Sequence, residues 1–512
     1  MFIPRRLAFA VGLVAAVLFT AFARGEDAAP PPSQAQAGAP SAPDAAAHAP
    51  RLKPLPDDKT TPHSLALADR RLDFKASVST IHLADAKGEP LADVVATAFL
   101  LDVADITTRP VAFIFNGGPG AASAFLQLGA LGPWRLPIAF APSAAANVQD
   151  NPDSWLEFTD LVFIDPPGTG WSRIVTTGDE PRKRIWSVEG DIEVLAAAVR
   201  RWLAANERMA SPKFIVGESY GGFRAPRLAE ALATKEGVGV SGLVLISPAL
   251  DFPTYFNDGA SNPIESAARL PSFAAVAREA KGAVARADLA DVEAYASGEF
   301  VIDFLRGLKD AAAVARMSER VSAITGLDRD LVAQLRGRVS VNAFLREFSR
   351  AKAKILAPHD ASLEAYDPEP EKYHSHWLDP AIEGLLAPLT SAAVDVYERR
   401  LGWKTDLRYE LINFDVNKAW NWSHALDKSN ESGTALRRLL ALDPNMRVLI
   451  AHGLTDLVTP YYAAKLLLDQ TPDFGPPGRV RLAVYPGGHM HYSRDGSRKA
   501  LRRDARELFE GR

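Results

Sequence analysis

Phe214-Ile215-Val216-Gly217-Glu218-Ser219-Tyr220-Gly221-Gly222 is the stretch whose reading decides the fold. A short apolar run of strand type passes directly into Gly-x-Ser-x-Gly and then into a helical pattern. A strand, a sharp turn and a helix in that order strain the turn and lift the serine hydroxyl clear of the sheet. Small residues must flank the serine because the turn is tight. Ser219 is therefore the first candidate for a chemical role.

Similar runs recur along the chain: Val111–Phe115, Leu161–Ile164, Leu243–Ile246, Arg447–Ala451 and Arg481–Val484. Most are almost wholly apolar, as expected of strands buried on both faces of a largely parallel sheet. Between them Ile192, Leu195, Ala196, Val199 and Leu203 mark one buried face of an amphipathic helix. The alternation predicts an α/β architecture, a mostly parallel central sheet flanked by helices. Residues 252–430 break the rhythm. They are rich in Ala, Leu, Arg and Glu at helical spacing, with no comparable strand run, and read as a mostly helical cap inserted into a core of residues 60–251 and 431–512.

A serine hydroxyl is a weak nucleophile until a histidine takes its proton and a carboxylate orients that histidine. After the strand Arg447–Ala451, Asp456 lies in a loop at the edge where open α/β sheets bind ligands. After Arg481–Val484, His489 follows two glycines at the equivalent place. The order Ser219, Asp456, His489 suits an α/β-hydrolase triad. His491 is the rival base, His452 reads as packed beside its strand end, and Asp415 is a weaker acid with no strand behind it. Asn116-Gly117-Gly118-Pro119-Gly120 leaves the strand Val111–Phe115 and can present bare N–H groups. The N–H groups of Gly118 and Tyr220 are thus the expected oxyanion hole. No Gly-Lys-Ser/Thr follows, so the loop is not of the phosphate-binding type.

Composition excludes other chemistry. The 512 residues contain no cysteine, which removes disulfides, thiolate metal sites and a cysteine nucleophile. A formal net charge of −4 gives no reason to expect nucleic acid as a partner. His374-x-His376 and His489-x-His491 are the close histidine pairs, and two such pairs alone give no reason to expect a metal or a cofactor. Arg5 and Arg6 precede the apolar run Leu7–Ala23, which ends Ala21-Phe22-Ala23. Those are the parts of an export signal over residues 1–23, predicting a periplasmic or secreted protein without stable membrane insertion once the signal is cleaved. Residues 24–59 read as a disordered linker, because Ala and Pro supply 16 of the 23 residues from 28 to 50.

Taken together the motifs resemble the serine carboxypeptidase family of α/β-hydrolases. The resemblance rests on Asn116–Gly120, Gly217–Tyr220, Asp456 and His489, with Leu131-Gly132-Pro133, Asn151-Pro152-x-Ser154-Trp155, Asp165–Ser172 and Pro226 in the same order. It implies hydrolysis of C-terminal peptide bonds through an acyl-enzyme. It also implies that the substrate's free carboxylate meets Asn116, Gly117 and Glu218. A glutamate can bind a carboxylate when one of the two holds a proton, which favours acidic pH. Three positions depart from the family: Ala130 where a second glutamate is usual, Ile114 for a tryptophan and Ala121 for a cysteine. Losing the glutamate weakens the expectation of strict C-terminal recognition. A peptide or small ester is the expected substrate, with an esterase or acyltransferase as the alternative on this scaffold. The alternative of another class is a binding protein without activity.

Overall fold

The computed structural model describes residues 52–138, 147–255, 262–372, 379–422 and 430–511. The expected export signal, and the expected linker up to residue 51, lie outside the described residues. Leu55–Arg512 forms one compact unit.

The chain enters through three antiparallel strands, β1 (Lys59–Ala66), β2 (Arg71–Ala84) and β3 (Pro90–Leu101). These strands are not among the apolar runs singled out in the sequence. In β2 exposed and buried residues alternate from Arg71 to Val78, the pattern of strands with one wet face. There follow β4 (Val111–Phe115), the small ribbon of β5 (Trp134–Arg135) and β6 (Gln149–Asp150), β7 (Asp160–Ile164), β8 (Arg173–Ile174), β9 (Lys213–Glu218) and β10 (Gly242–Ile246). Within the insertion lie β11 (Lys354–Ala357) and β12 (Asp360–Tyr366); β13 (Arg447–Gly453) and β14 (Val480–Tyr485) complete the chain. The main sheet runs β1-β2-β3-β7-β4-β9-β10-β13-β14, with β8 paired to β3. From β7 to β14 every ladder is parallel. This is the α/β-hydrolase fold, a mostly parallel sheet flanked by helices.

The apolar runs follow from burial on two faces. In β9 Phe214 and Val216 enter one hydrophobic cluster while Ile215 enters the other, and β4 divides Ile114 from Phe113 and Phe115 in the same way. The helix Val188–Ala205 buries Ile192, Leu195, Ala196, Val199 and Leu203.

The stretch read as a strand-free helical cap differs from that expectation. It does contain helices such as Pro263–Glu279 and Ala311–Thr325, but β11 and β12 form an antiparallel hairpin within it. The hairpin escapes notice because its strands are short and carry no long apolar run; Ile355, Leu356 and Ala361 are buried against helices distant in sequence, among Leu270, Phe273, Phe344 and Tyr461. The helix Pro380–Asp395 buries Leu385, Leu389 and Ala392 in the same cluster as Ile114 and Val216, so the later part of the insertion is built onto the sheet itself.

Candidate active site

The parallel strands bring their C-terminal ends to one edge, and the Asn116 loop, Ser219, Asp456 and His489 each follow the end of one of these strands. Ser219 follows β9 with φ 60° and ψ −122°, a left-handed conformation that a non-glycine residue adopts at a cost of order 1–3 kcal/mol. Its N–H donates to the Ile246 carbonyl at 2.9 Å. The turn tolerates no side chain at Gly217, where a Cβ would lie 2.0 Å from the Gly221 carbonyl oxygen. Gly117 on the neighbouring β4 loop is pressed against this elbow. A Cβ there would lie 2.6 Å from the Tyr220 nitrogen and 2.8 Å from the Ser219 Cβ. Neither the Gly118 nor the Tyr220 N–H is spent on a backbone hydrogen bond among the described residues.

Asp456 and His489 meet across the β13 and β14 loops. His489 Nδ1 lies 2.7 Å from Asp456 Oδ2, and Asp456 is fully buried. Asp456 also accepts from the N–H groups of Val458 and Thr459 at 2.8 and 2.9 Å, and from Thr459 Oγ1 at 2.7 Å. Burial alone would raise the Asp456 carboxyl, but the charge and hydrogen bond of His489 outweigh it and hold the group below its ordinary value. For His489 burial works downward and is outweighed by the Asp456 carboxylate, with Glu218 and Asp379 adding, so the imidazole is raised. Ser247, at the end of β10, donates through Oγ to the His489 carbonyl at 2.8 Å. Ser219 Oγ is half-buried and is not hydrogen-bonded to His489, whose Nε2 also has no partner among the described residues.

The rival histidines are placed elsewhere. His491 is fully buried, stacks on Tyr485 at 5.1 Å, and neither ring nitrogen has a partner among the described residues. Burial pushes it down to about 3, and His452, equally buried on β13, down to about 4. Both are neutral packing groups. Asp415 lies in the first turn of the helix Phe414–Ala419.

Asn116 and Glu218 form a buried pair. Asn116 Nδ2 donates to Glu218 Oε2 at 2.5 Å, while Asn116 Oδ1 accepts from the Leu126 N–H at 3.0 Å. Tyr492 Oη donates to both Glu218 oxygens at 3.0 Å. Glu218 is 3% exposed, and burial pushes its carboxyl up to about 7 against the opposing influence of His489, Tyr492, Asn116 and His359. Ala130, the position of the missing glutamate, is buried too, and the ring of Tyr492 lies against its neighbour Gly129.

Several participants left little mark in the sequence. Arg224, on the helix after Ser219, pairs with buried Asp191 at 2.6 Å and donates to the Asn116 carbonyl at 2.8 Å, tying loop to elbow. From the β11–β12 turn, His359 accepts the His489 N–H on its carbonyl at 2.5 Å, and the two rings stand perpendicular at 5.0 Å. Its Nδ1 is hydrogen-bonded to Asp379. The spacing of Thr459 three residues after Asp456 is the kind of signal that could have found that contact; nothing comparable points to His359.

Compared with protein-family models, residues 99–269 match the one described as serine carboxypeptidase. That stretch is similar to the serine carboxypeptidase family. Serine carboxypeptidase-like 44 of Arabidopsis thaliana is 31% identical over 131 residues, covering 24% of this chain and 25% of that protein. The pheromone-processing carboxypeptidase kex1 of Aspergillus clavatus is 30% identical over 161 residues, 28% of this chain and 24% of that protein. The chain thus spans about a quarter of the length of these relatives. Among solved structures, a proline iminopeptidase of Mycobacterium smegmatis aligns with a TM-score of 0.37 and 14% identity, over 85% of this chain and 97% of that one. The serine carboxypeptidase match contains the Asn116 loop and the Ser219 elbow. Asp456 and His489 lie beyond it, and it is the fold that carries them to the same edge. Among the described residues no group of three His, Asp or Glu side chains is arranged to hold a metal ion; His374 and His376 lie outside them. No helix among the described residues is long and apolar enough to cross a membrane.

Proposed function

We propose that the protein is a serine carboxypeptidase-like hydrolase that cleaves C-terminal peptide bonds through an acyl-enzyme. The observation that carries this reading is the 2.7 Å Asp456–His489 hydrogen bond, held at the same sheet edge as the strained Ser219 elbow. Ser219 Oγ attacks the scissile carbonyl as His489 Nε2 takes its proton, and Asp456 holds the imidazole through Nδ1. The N–H groups of Gly118 and Tyr220 receive the oxyanion. His489 returns the proton to the leaving amine, then activates the water that releases the acyl group. Asn116, Gly117 and Glu218 border the substrate's carboxylate, with Glu218 able to share a proton because burial raises it to about 7. The run Leu7–Ala23, preceded by Arg5 and Arg6, supports reading this activity as one exercised after export.

A second reading, an esterase or acyltransferase on the same machinery, is favoured by Ala130, which leaves Glu218 without a second carboxyl to share a proton. Labelling of folded protein with a fluorophosphonate, with Ser219→Ala as control, tests the nucleophile; absence of a Ser219 adduct sinks both readings. Rates on a blocked dipeptide and on its C-terminal amide separate them. A carboxypeptidase prefers the free acid, and an esterase does not.

A further inference from the structure

A buried ion pair joins three elements around the elbow and has no part in the reaction as written above. Arg224 and Asp191 are 1% and 2% exposed. Asp191 lies in the first turn of the helix Val188–Ala205, and Arg224 in the helix Tyr220–Lys235 that follows Ser219. Nε and Nη2 of the guanidinium donate to Oδ2 and Oδ1 of Asp191 at 2.6 and 3.3 Å. Nη1 donates to the Asn116 carbonyl at 2.8 Å.

That carbonyl belongs to the Asn116–Gly117 peptide, and the next peptide carries the Gly118 N–H. The Gly117 carbonyl accepts from the Ala121 N–H at 3.1 Å. Two successive peptides of the loop are thus held at their oxygens, the first by a guanidinium that keeps its proton at any working pH. Arg224 also stands one helical turn past Tyr220, and its guanidinium carbon lies 5.1 Å from the centre of the Tyr220 ring and 5.7 Å from that of Phe115. One side chain therefore bears on both sources of the expected oxyanion hole: on Tyr220 directly, and on Gly118 through the peptide before it. Two charges taken out of water add little stability over apolar side chains of the same size. What the fork adds is direction, because a planar guanidinium held on one edge by a carboxylate aims its remaining N–H groups one way.

We propose that Arg224, oriented by Asp191, is a positioning residue that sets the Asn116–Gly118 loop against the Ser219 elbow, so that the Gly118 and Tyr220 N–H groups converge on one oxyanion. This inference rests on the acyl-transfer reading above and adds to it the support that aligns the two donors. Arg224 acts through the backbone, so its effect falls on the transition state and not on ground-state binding.

Two variants separate alignment from general support. Arg224→Lys keeps a cation beside Asp191 but has a single nitrogen for both the carboxylate and the Asn116 carbonyl. Arg224→Met/Asp191→Leu removes both charges and leaves neither buried without its partner. With a blocked dipeptide or p-nitrophenyl acetate, whichever the parent turns over faster, both variants are expected to lose at least about tenfold in kcat while KM stays within about twofold. Inhibition by N-acetylphenylalaninal, whose adduct with Ser219 places its oxygen in the oxyanion hole, should weaken by the same factor, while calorimetric binding of N-acetylphenylalanine is unchanged. A melting temperature that falls without this split, or an unchanged kcat in either folded variant, would overturn the proposal. So would failure of both variants to fold, which would make the pair a requirement of the fold itself. Hydrogen exchange of residues 116–126 needs no turnover: it should quicken in Arg224→Lys, and unchanged exchange would refute the anchor. Failure of the underlying reaction shows separately, as absent fluorophosphonate labelling of Ser219 in the parent.

Discussion

Replacing His491 by phenylalanine should make the protein more resistant to acid. His491 is fully buried between Tyr485, stacked at 5.1 Å, and Tyr492, whose ring centroid is 6.0 Å away. The titratable groups that act on it are His452, His489 and Asp456. Burial lowers it to about 3, so the folded protein keeps it neutral while the unfolded chain takes up a proton below about 6.5. A group lowered in this way costs no stability above its unfolded value. Below it, stability is lost progressively as the pH falls, until the folded value is reached. Between pH 7.5 and pH 4 the loss from this one side chain is about 3 kcal/mol. Phenylalanine keeps the stacking and cannot be protonated, at a packing cost of about 1 kcal/mol that does not depend on pH. Glu218 and Asp165, both raised to about 7 by burial, act in the opposite sense, since their protonation favours the fold as pH falls. They are present in both proteins and cancel in the comparison. Urea unfolding at pH 7.5, 6, 5 and 4 measures the difference directly. The stability of H491F relative to the parent should rise by about 3 kcal/mol across that range. Parallel stability curves would refute the reasoning, because they would mean that His491 is protonated as readily in the fold as outside it.

Asp456→Asn should lower kcat by roughly 10⁴-fold while leaving substrate affinity nearly intact, since an amide oriented toward Nδ1 selects the wrong tautomer of His489; steady-state kinetics checks it. Gly117→Ala should cost at least tenfold in kcat, because the added Cβ would stand 2.6 Å from the Tyr220 nitrogen and push the proposed oxyanion donor aside. Comparing kcat with the melting temperature shows whether the loss is local. Tyr492→Phe removes a donor from both Glu218 oxygens and raises that carboxyl further above about 7. The ionised form then costs the fold more, so the variant should lose about 1–3 kcal/mol at pH 8 and much less at pH 5 in urea melts.

How much could be read beforehand depended on whether a residue's partners were near it in sequence. Ser219, Asp456 and His489 each follow an apolar strand, and the strand announces the loop. The two-faced burial of β4 and β9 wrote itself into continuous apolar runs. β1 and β2 alternate instead, since one face meets solvent, and they fell below notice. Tyr492 stands 274 positions from Glu218, and Arg224 stands 108 from Asn116. Their spacing carries no local signal, because the contacts exist once the sheet has brought separate loops to one edge. The β11–β12 hairpin was hidden for the same reason: Ile355, Leu356 and Ala361 are buried by helices and loops far from it in sequence.

Those contacts divide the insertion into parts with different freedom to change. The Leu457 N–H donates to the Pro358 carbonyl, the Ala361 N–H to the Thr455 carbonyl, and Thr455 Oγ1 to Asp360, while the His489 N–H reaches His359. The hairpin is therefore sewn into the loops of both Asp456 and His489. It cannot swing aside to admit substrate without unmaking the pair it supports. For a protein engineer, the outward faces of the helices of residues 263–347 are the freer part, since their inward faces pack with Leu356, Leu454, Leu457 and Tyr461 in one hydrophobic cluster. The turn at Pro358–Ser362 is part of the chassis, and a graft that replaces it must rebuild the site.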